Sequence, residues 1–225
     1  MKKETVKKVI LYIILFAVLF IAADMVFAED APEYVKMDYG ELGELSMEKI
    51  NEYTEAVKKN QALIDKKYKD VLVTVTFSEY LSMDEFKRLI EKYDLHIYQF
   101  QYRGLQPDGT RITGASILND TYENVEKRLI ASGESHGSIY LGITICYTTV
   151  DADKIEAFQA EETVYLVDLS GDALFRNEKV SVMSGIERNL LNLSKKDAPR
   201  NWPIHFTWNL EDEGIIDYKK YLKQQ

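Results

Sequence analysis

Val71-Leu72-Val73-Thr74-Val75-Thr76-Phe77, with Ser82-Met83-Asp84-Glu85-Phe86 close behind it, decides the fold. The first run alternates Val71, Val73, Val75 and Phe77 with Leu72, Thr74 and Thr76, which is the two-residue period of a strand. In the second, Ser82 and Glu85 stand at the spacing of a capping box, where each side chain satisfies a backbone N–H that a helix start leaves orphaned. Phe86, Leu89, Ile90 and Tyr93 then recur at helical intervals, so this strand is predicted to feed a helix with one apolar face.

Working outward toward the C-terminus, His96 to Arg103 reads as a second strand, with Ile97 on one side and Tyr98, Phe100 and Tyr102 on the other. Gln106-Pro107-Asp108-Gly109 is a turn, because proline presets one torsion and glycine permits a positive one. Arg111 to Leu118 returns as its hairpin partner. Asn119 or Asp120 caps a helix that turns Tyr122, Val125 and Leu129 inward and ends near Gly133. Ile139, Leu141, Ile143, Ile145 and Tyr147 make the cleanest alternation in the chain and predict a central strand. The order strand, helix, strand, strand, helix, strand over residues 71–150 predicts an α+β, ferredoxin-like βαββαβ sandwich with two helices on one sheet face. Residues 151–225 read as an added helix-strand-helix extension packed on that core. Its helix lies over Asp153 to Ala160, its strand over Thr163 to Leu169, and its second helix carries Val182, Ile186, Leu190 and Leu193. Ile204, Phe206, Trp208 and Leu210 alternate after Trp202-Pro203, and Glu211-Asp212-Glu213-Gly214 leads into a basic amphipathic tail.

Toward the N-terminus, Ser46 offers an N-cap for an amphipathic helix within residues 46–70, carrying Ile50, Tyr53, Val57, Leu63, Ile64 and Tyr68. Residues 29–45 hold Pro32, Gly40 and Gly43 without periodicity and read as a tether. Lys2, Lys3, Lys7 and Lys8 precede an unbroken apolar run from Val9 to Ala23, and Val26-Phe27-Ala28 fits a signal-peptidase site. Residues 1–28 are therefore expected to be a signal peptide, or a membrane anchor through Val9 to Ala28 with the lysines held inside. Either outcome places the rest of the chain outside the cytoplasm, anchored or secreted. The single cysteine and the abundance of lysine and tyrosine suit a Gram-positive cell envelope.

The chain carries a formal charge of −9, and the body is more acidic still, since the leader carries more lysines than acids. Phosphate backbones need a basic stripe to release counterions, so nucleic acid is excluded as a partner. Cys146 is alone, which rules out an intrachain disulfide, and its place in an apolar alternation predicts a buried, inert thiol. No cluster reaches the standard of a catalytic, cofactor or metal site. Ser135, His136 and Ser138 lack the strained G-x-S-x-G presentation of a nucleophile and read as a helix-to-strand link. Asp151, Asp153 and Glu156 lack the glycine and distal glutamate of a calcium loop, so helix capping by Asp151 or Asp153 is expected. His96, His136 and His205 are too scattered for zinc. Glu211, Asp212 and Glu213 read as solvated carboxylates on an exposed turn.

Fifteen tyrosines and two tryptophans exceed what the core strands need. Tyr98, Tyr102, Tyr140, Tyr147, Trp202 and Trp208 are candidates for a partner-binding surface, against the alternative that they cover the sheet face that the two helices leave open. Tyr98, Tyr102, Tyr140, Trp202 and Trp208 are the residues placed in that surface.

Val71 to Phe77 followed by Leu81-Ser-Met-Asp-Glu-Phe-Lys-Arg-Leu-Ile90 resembles the opening of subtilisin propeptides and related inhibitor domains. That resemblance implies a protease inhibitor or prodomain-like chaperone. Val71 through Val167, with Gly142-Ile-Thr-Ile-Cys-Tyr147, is also similar to the extracytoplasmic C-terminal domain of membrane-bound sigma-factor regulators, which implies a sensory or partner-binding module. Eight residues precede the apolar run, so no cytoplasmic sigma-binding domain is expected. The leading expectation is a non-enzymatic extracytoplasmic module that binds a protein or peptide through a sheet edge or the aromatic surface near Tyr102 and Trp208. An inhibitor or chaperone is the alternative, and a secreted hydrolase using His136 or His205 is the second alternative.

Overall fold

Ser46 Oγ accepts the amide of Lys49 at 3.4 Å and starts helix α1, Met47–Leu63, which turns Ile50 and Val57 inward. In this computed structural model residues 46–170, 172 and 207–222 are described. The leader, the tether, the helix expected around Val182 to Leu193, and Trp202, Ile204, His205 and Phe206 lie outside them. Among the described residues no helix is long and apolar enough to cross a membrane. The helix ends at Leu63, before Tyr68, because Ile64 takes an extended conformation.

The elements that follow are β1 (Val71–Leu81), α2 (Met83–Tyr93), β2 (His96–Leu105), β3 (Arg111–Ser116), α3 (Tyr122–Ser135) and β4 (Ile139–Val150). A short 3-10 turn, Ala152–Lys154, leads into α4 (Ile155–Gln159) and β5 (Val164–Asp168), and the C-terminal segment adds α5 (Thr207–Asp212) and α6 (Lys219–Leu222). The protein is α+β: one five-stranded sheet in the order β3-β2-β4-β1-β5, with every pairing antiparallel. β4 therefore lies centrally, between β1 and β2, and those two run parallel to each other without touching.

Local chemistry explains the boundaries. Ser82 and Glu85 form the expected capping box on α2, and Asp94 closes that helix in the left-handed region at φ 55°. Thr121, not Asn119 or Asp120, is the N-cap of α3; Asp120 instead accepts from the Thr121 amide and the Asn124 side chain. Asp151 and Asp153 cap nothing with their side chains. Asp151 holds Lys69 Nζ at 3.0 Å and the Asp70 amide at 3.3 Å, tying the start of β1 to the end of β4.

Two apolar clusters fill the two faces of the sheet. The larger contains Val71, Val73, Val75, Phe86, Phe100 and Cys146, packed with α2, α3 and α4. The smaller joins Ile50 and Val57 of α1 to Tyr80, Leu166, Leu210 and Ile216. Register shifts interrupt the ladders at several points, and two of them re-aim residues of the expected alternation. One between Ile97 and Gln99 brings Ile97 onto the same core as Phe100. The other centres on Gly142, whose φ of 145° lets β4 pass the bend in β1; a Cβ there would stand 2.6 Å from the Leu81 carbonyl oxygen. Leu141 consequently faces the smaller cluster and Ile143 the larger, rather than sharing one face. Thr207–Asp212 is helical, so the alternation read through Trp208 and Leu210 is a helix face whose buried members include Leu210 and Glu211.

Candidate functional site

A sheet edge carries unpaired N–H and C=O groups on alternate residues, and each must find water, a cover or another strand. The two edges of this sheet are treated differently. On β5 the outward groups belong to Tyr165 and Val167, since Leu166 and Asp168 face β1 in the ladder. Glutamine side chains cover them: Gln159 Oε1 accepts the Val167 amide at 2.8 Å, Gln159 Nε2 donates to Tyr165 O at 3.1 Å, and Gln61 Nε2 donates to Val167 O at 2.6 Å. A fourth bond at 3.0 Å, from Gln61 Nε2 to Gln159 Oε1, ties α1 to α4 over that edge. The β5 edge is closed.

Among the described residues the β3 edge is open. The Gln106 amide donates to Thr110 O at 2.9 Å across the hairpin turn, which fixes the parity of the ladder. Gly104, Tyr102 and Phe100 then exchange bonds with Ile112, Gly114 and Ser116, leaving the main-chain groups of Arg111, Thr113 and Ala115 directed outward. Thr113 and Ala115 are exposed, and among the described residues no strand or side chain covers this edge.

Each face of the open edge carries an aromatic ring. On the face of α3, Tyr102 lies across Gly114, where a Cβ would collide with its phenol, so the missing side chain lets the ring reach toward the edge. Tyr140 packs beside it with ring centroids 5.9 Å apart, and burial raises its phenol well above the usual range, with Glu126 and Tyr102 adding to the effect. On the opposite face Trp208 lies 4.0 Å from the Arg103 guanidinium and 4.5 Å from that of Arg111, and it remains 37% exposed. Tyr102 and Trp208 therefore cannot form one continuous surface, because adjacent residues of a pleated strand point to opposite faces. They meet only at the edge.

Trp208 is held by charges that the sequence reading placed in solvent. Glu211 is 0% exposed at its side chain; Oε1 accepts Arg103 Nε at 2.7 Å and the Tyr80 hydroxyl at 2.8 Å, and Oε2 accepts Arg111 Nη1 at 3.0 Å. Arg103 also donates to Thr113 Oγ1, and Arg111 Nη2 reaches Asp212 at 2.7 Å. The signal for this arrangement was an arginine inside an apolar strand, Arg103, facing an acidic run. Its partner lay beyond any local pattern.

Other candidates resolve into structure. His136 Nδ1 stands 2.7 Å from the Ser132 carbonyl, to which Ser135 Oγ also donates, so this nitrogen is a donor and takes no proton from Ser135. Ser138 Oγ donates to Gly133 O. Cys146 is buried and burial drives its thiol far above the usual range, so it holds no thiolate. Tyr98 is half-buried with its ring edge-on to His96, and Tyr147 is buried, accepting from Gln101 at 3.0 Å. Among the described residues no group of three His, Cys, Asp or Glu side chains can hold a metal. An open cleft of about 590 Å³ lies beside Tyr93 and Glu161, whose carboxylate is paired within it, to Lys92 Nζ at 2.5 Å and to the Tyr93 hydroxyl at 2.6 Å. Burial opposes ionisation of Glu161, yet the Lys92 and Tyr93 bonds outweigh it and hold the carboxyl below its usual range, as a structural anion. No family model, curated protein or solved structure matches the chain.

Proposed function

We propose that this chain is a non-enzymatic, extracytoplasmic module of the cell envelope that binds a protein or peptide, and that the β3 edge is its contact surface. The observation that carries the reading is the asymmetry of the sheet: glutamines seal one edge, while at the other no described residue covers the outward main-chain groups of Arg111, Thr113 and Ala115, which lie between two aromatic rings. Strand addition gives affinity through main-chain bonds and specificity through alternate side chains, which is what such an edge offers. The export reading rests on Lys2 to Ala28. The ferredoxin-like reading is supported by the βαββαβ order and two split crossovers, whereas the strand order β3-β2-β4-β1 departs from that fold by placing β2 and β4 inside in place of the first and third strands.

A photo-crosslinking residue placed at Ala115 in the full-length chain, expressed in cells, tests the surface. The expected result is a discrete adduct from the membrane or medium fraction, missing when the same residue replaces the exposed Glu55 of α1. Equal labelling from both positions, or chain recovered from the cytosol with its leader intact, overturns the reading.

A further inference from the structure

Resting on that edge reading, we infer that the β3 edge takes an extended peptide with basic residues at its two ends and a neutral apolar side chain between them, rather than a second copy of this chain. Charge and area argue for it.

Both ends of β3 are marked by carboxylates. Asp108 lies in the turn before the strand, and the Thr110 amide holds its carboxyl below the usual range. Asp120 lies just past the other end, where bonds from Asn124 and the Thr121 amide do the same. Both are ionised at neutral pH. Asp108 has no ion-pair partner among the described residues, and Asp120 meets Arg128 at 3.2 Å in an exposed pair, which leaves much of its field available. Acid at both ends suits a lysine- or arginine-ended peptide in either strand direction. Six residues span roughly 20 Å.

Between those ends the site is neutral. Arg103 and Arg111 under Trp208 are matched by Glu211 and Asp212, so the indole is offered without net charge. A strand beside β3 puts alternate side chains on the Trp208 face, where an apolar group desolvates the ring at no electrostatic cost. The intervening side chains meet the Tyr102 phenol across Gly114.

A second copy is the poorer occupant. Edge-on contact along about 20 Å of a sheet about 10 Å thick buries far less than the roughly 800 Å² per partner of a stable dimer. It would also bring a formal charge of −9 against −9, and the two carboxylate-marked ends would meet their own kind.

The test uses the full-length chain in detergent, with Trp202→Phe so that Trp208 reports alone. The probe is a synthetic peptide of about nine residues, alternating valine and threonine and ended by lysines; controls are its glutamate-ended counterpart and a lysine-ended version N-methylated at alternate amides. The expected result is slowed hydrogen exchange at Arg111, Thr113 and Ala115, a change in Trp208 fluorescence, and at least about tenfold tighter binding than the glutamate-ended peptide at low salt, the gap closing as salt rises. The N-methylated peptide fails to bind, and so does the lysine-ended peptide against Ala115→Pro, whose ring removes an outward donor and leaves the β2 ladder intact. Equal affinity for both charged ends with the same amides protected overturns the basic-end assignment and leaves the edge reading standing. Protection elsewhere, or no binding by either peptide, overturns the inference, and crosslinking from Ala115 then decides the edge reading separately. A concentration-dependent dimer abolished by Ala115→Pro assigns the edge to a second copy and also overturns it.

Discussion

Arg103 Nε donates to Glu211 Oε1 at 2.7 Å, joining residues 108 apart in sequence with side chains 1% and 0% exposed. The pair fastens α5 to the C-terminal part of β2. It places Trp208 over the guanidiniums and so sets one wall of the open edge. Neither charge tolerates isolation, since an unpaired ion in such surroundings is among the costliest things a fold can hold.

Arg103→Ala removes one of two arginines from a carboxylate that has no route to water. The expected loss is about 3 kcal/mol in urea unfolding, within the range for breaking a buried pair. Arg103→Met combined with Glu211→Leu is expected to recover part of it, because the buried ion pair leaves as a whole, while the Tyr80 hydroxyl loses its acceptor and Arg111 keeps Asp212. If the double variant is no better than Arg103→Ala, the cost lies in lost packing around Trp208 rather than in charge.

Gly142 is irreplaceable for two reasons that act together: its φ of 145° and the Leu81 carbonyl 2.6 Å from where a Cβ would sit. Gly142→Ala is expected to lose about 3 kcal/mol by strain and displacement of β1. Gly137, at φ 66° with open space around it, is the control; Gly137→Ala is expected to cost about 1 kcal/mol. Thermal melts of the two variants side by side separate conformational strain from collision.

What the sequence made legible was whatever depended on near neighbours. The Ser82–Glu85 box, the turn at Gln106 to Gly109 and the alternation of β1 are local chemistry and emerged as read. The misreadings were long-range. Glu211 reads as a surface acid until Arg103 and Arg111 are known to converge on it, and Tyr102 and Trp208 read as one patch until the pleat assigns them to opposite faces. Alternation through Ile139 to Tyr147 concealed the bulge because a glycine within a strand gives little sign of which neighbour it must clear. The open edge was visible only as an option, since choosing between β3 and β5 required knowing that Gln61 and Gln159 reach the outer groups of β5.

Asp168 predicts a pH slope. It is buried on β5, Tyr53 donates to Oδ2 at 2.5 Å, and the Ser170 amide donates to Oδ1 at 2.9 Å. Burial raises its pKa above the ordinary 3.8, with the Ser170 and Tyr53 bonds opposing in part. A raised acid binds its proton more tightly folded than unfolded. Its contribution is therefore complete below about pH 3.8 and is lost as pH rises through the folded value. Asp168→Asn mimics the protonated form and removes that slope. Urea midpoints measured from pH 4 upward should fall for the natural chain relative to the variant, and parallel curves would refute the assignment.

Gln159 offers the most local test of how the closed edge is kept closed. Its Oε1 accepts the amide of Val167, a residue with 0% exposure, and its Nε2 donates to Tyr165 O. Gln159→Leu keeps the bulk and removes both bonds, so the Val167 amide is left buried and unpaired at a cost of about 1–3 kcal/mol. Exchange at the Val167 amide should accelerate, while amides that bond within the β1–β5 ladder, such as that of Leu166, change only by the global loss. Gln159→Glu keeps an acceptor for Val167 but loses the donor to Tyr165, so it should retain most of the protection at Val167. Leucine also leaves an edge that can pair with another chain, so light scattering at high concentration is expected to rise for Gln159→Leu and not for Gln159→Glu, whose charge guards the edge. Normal Val167 protection in the leucine variant would mean that the edge is sealed by packing of α1 alone, and the glutamine cover would then have no part in it.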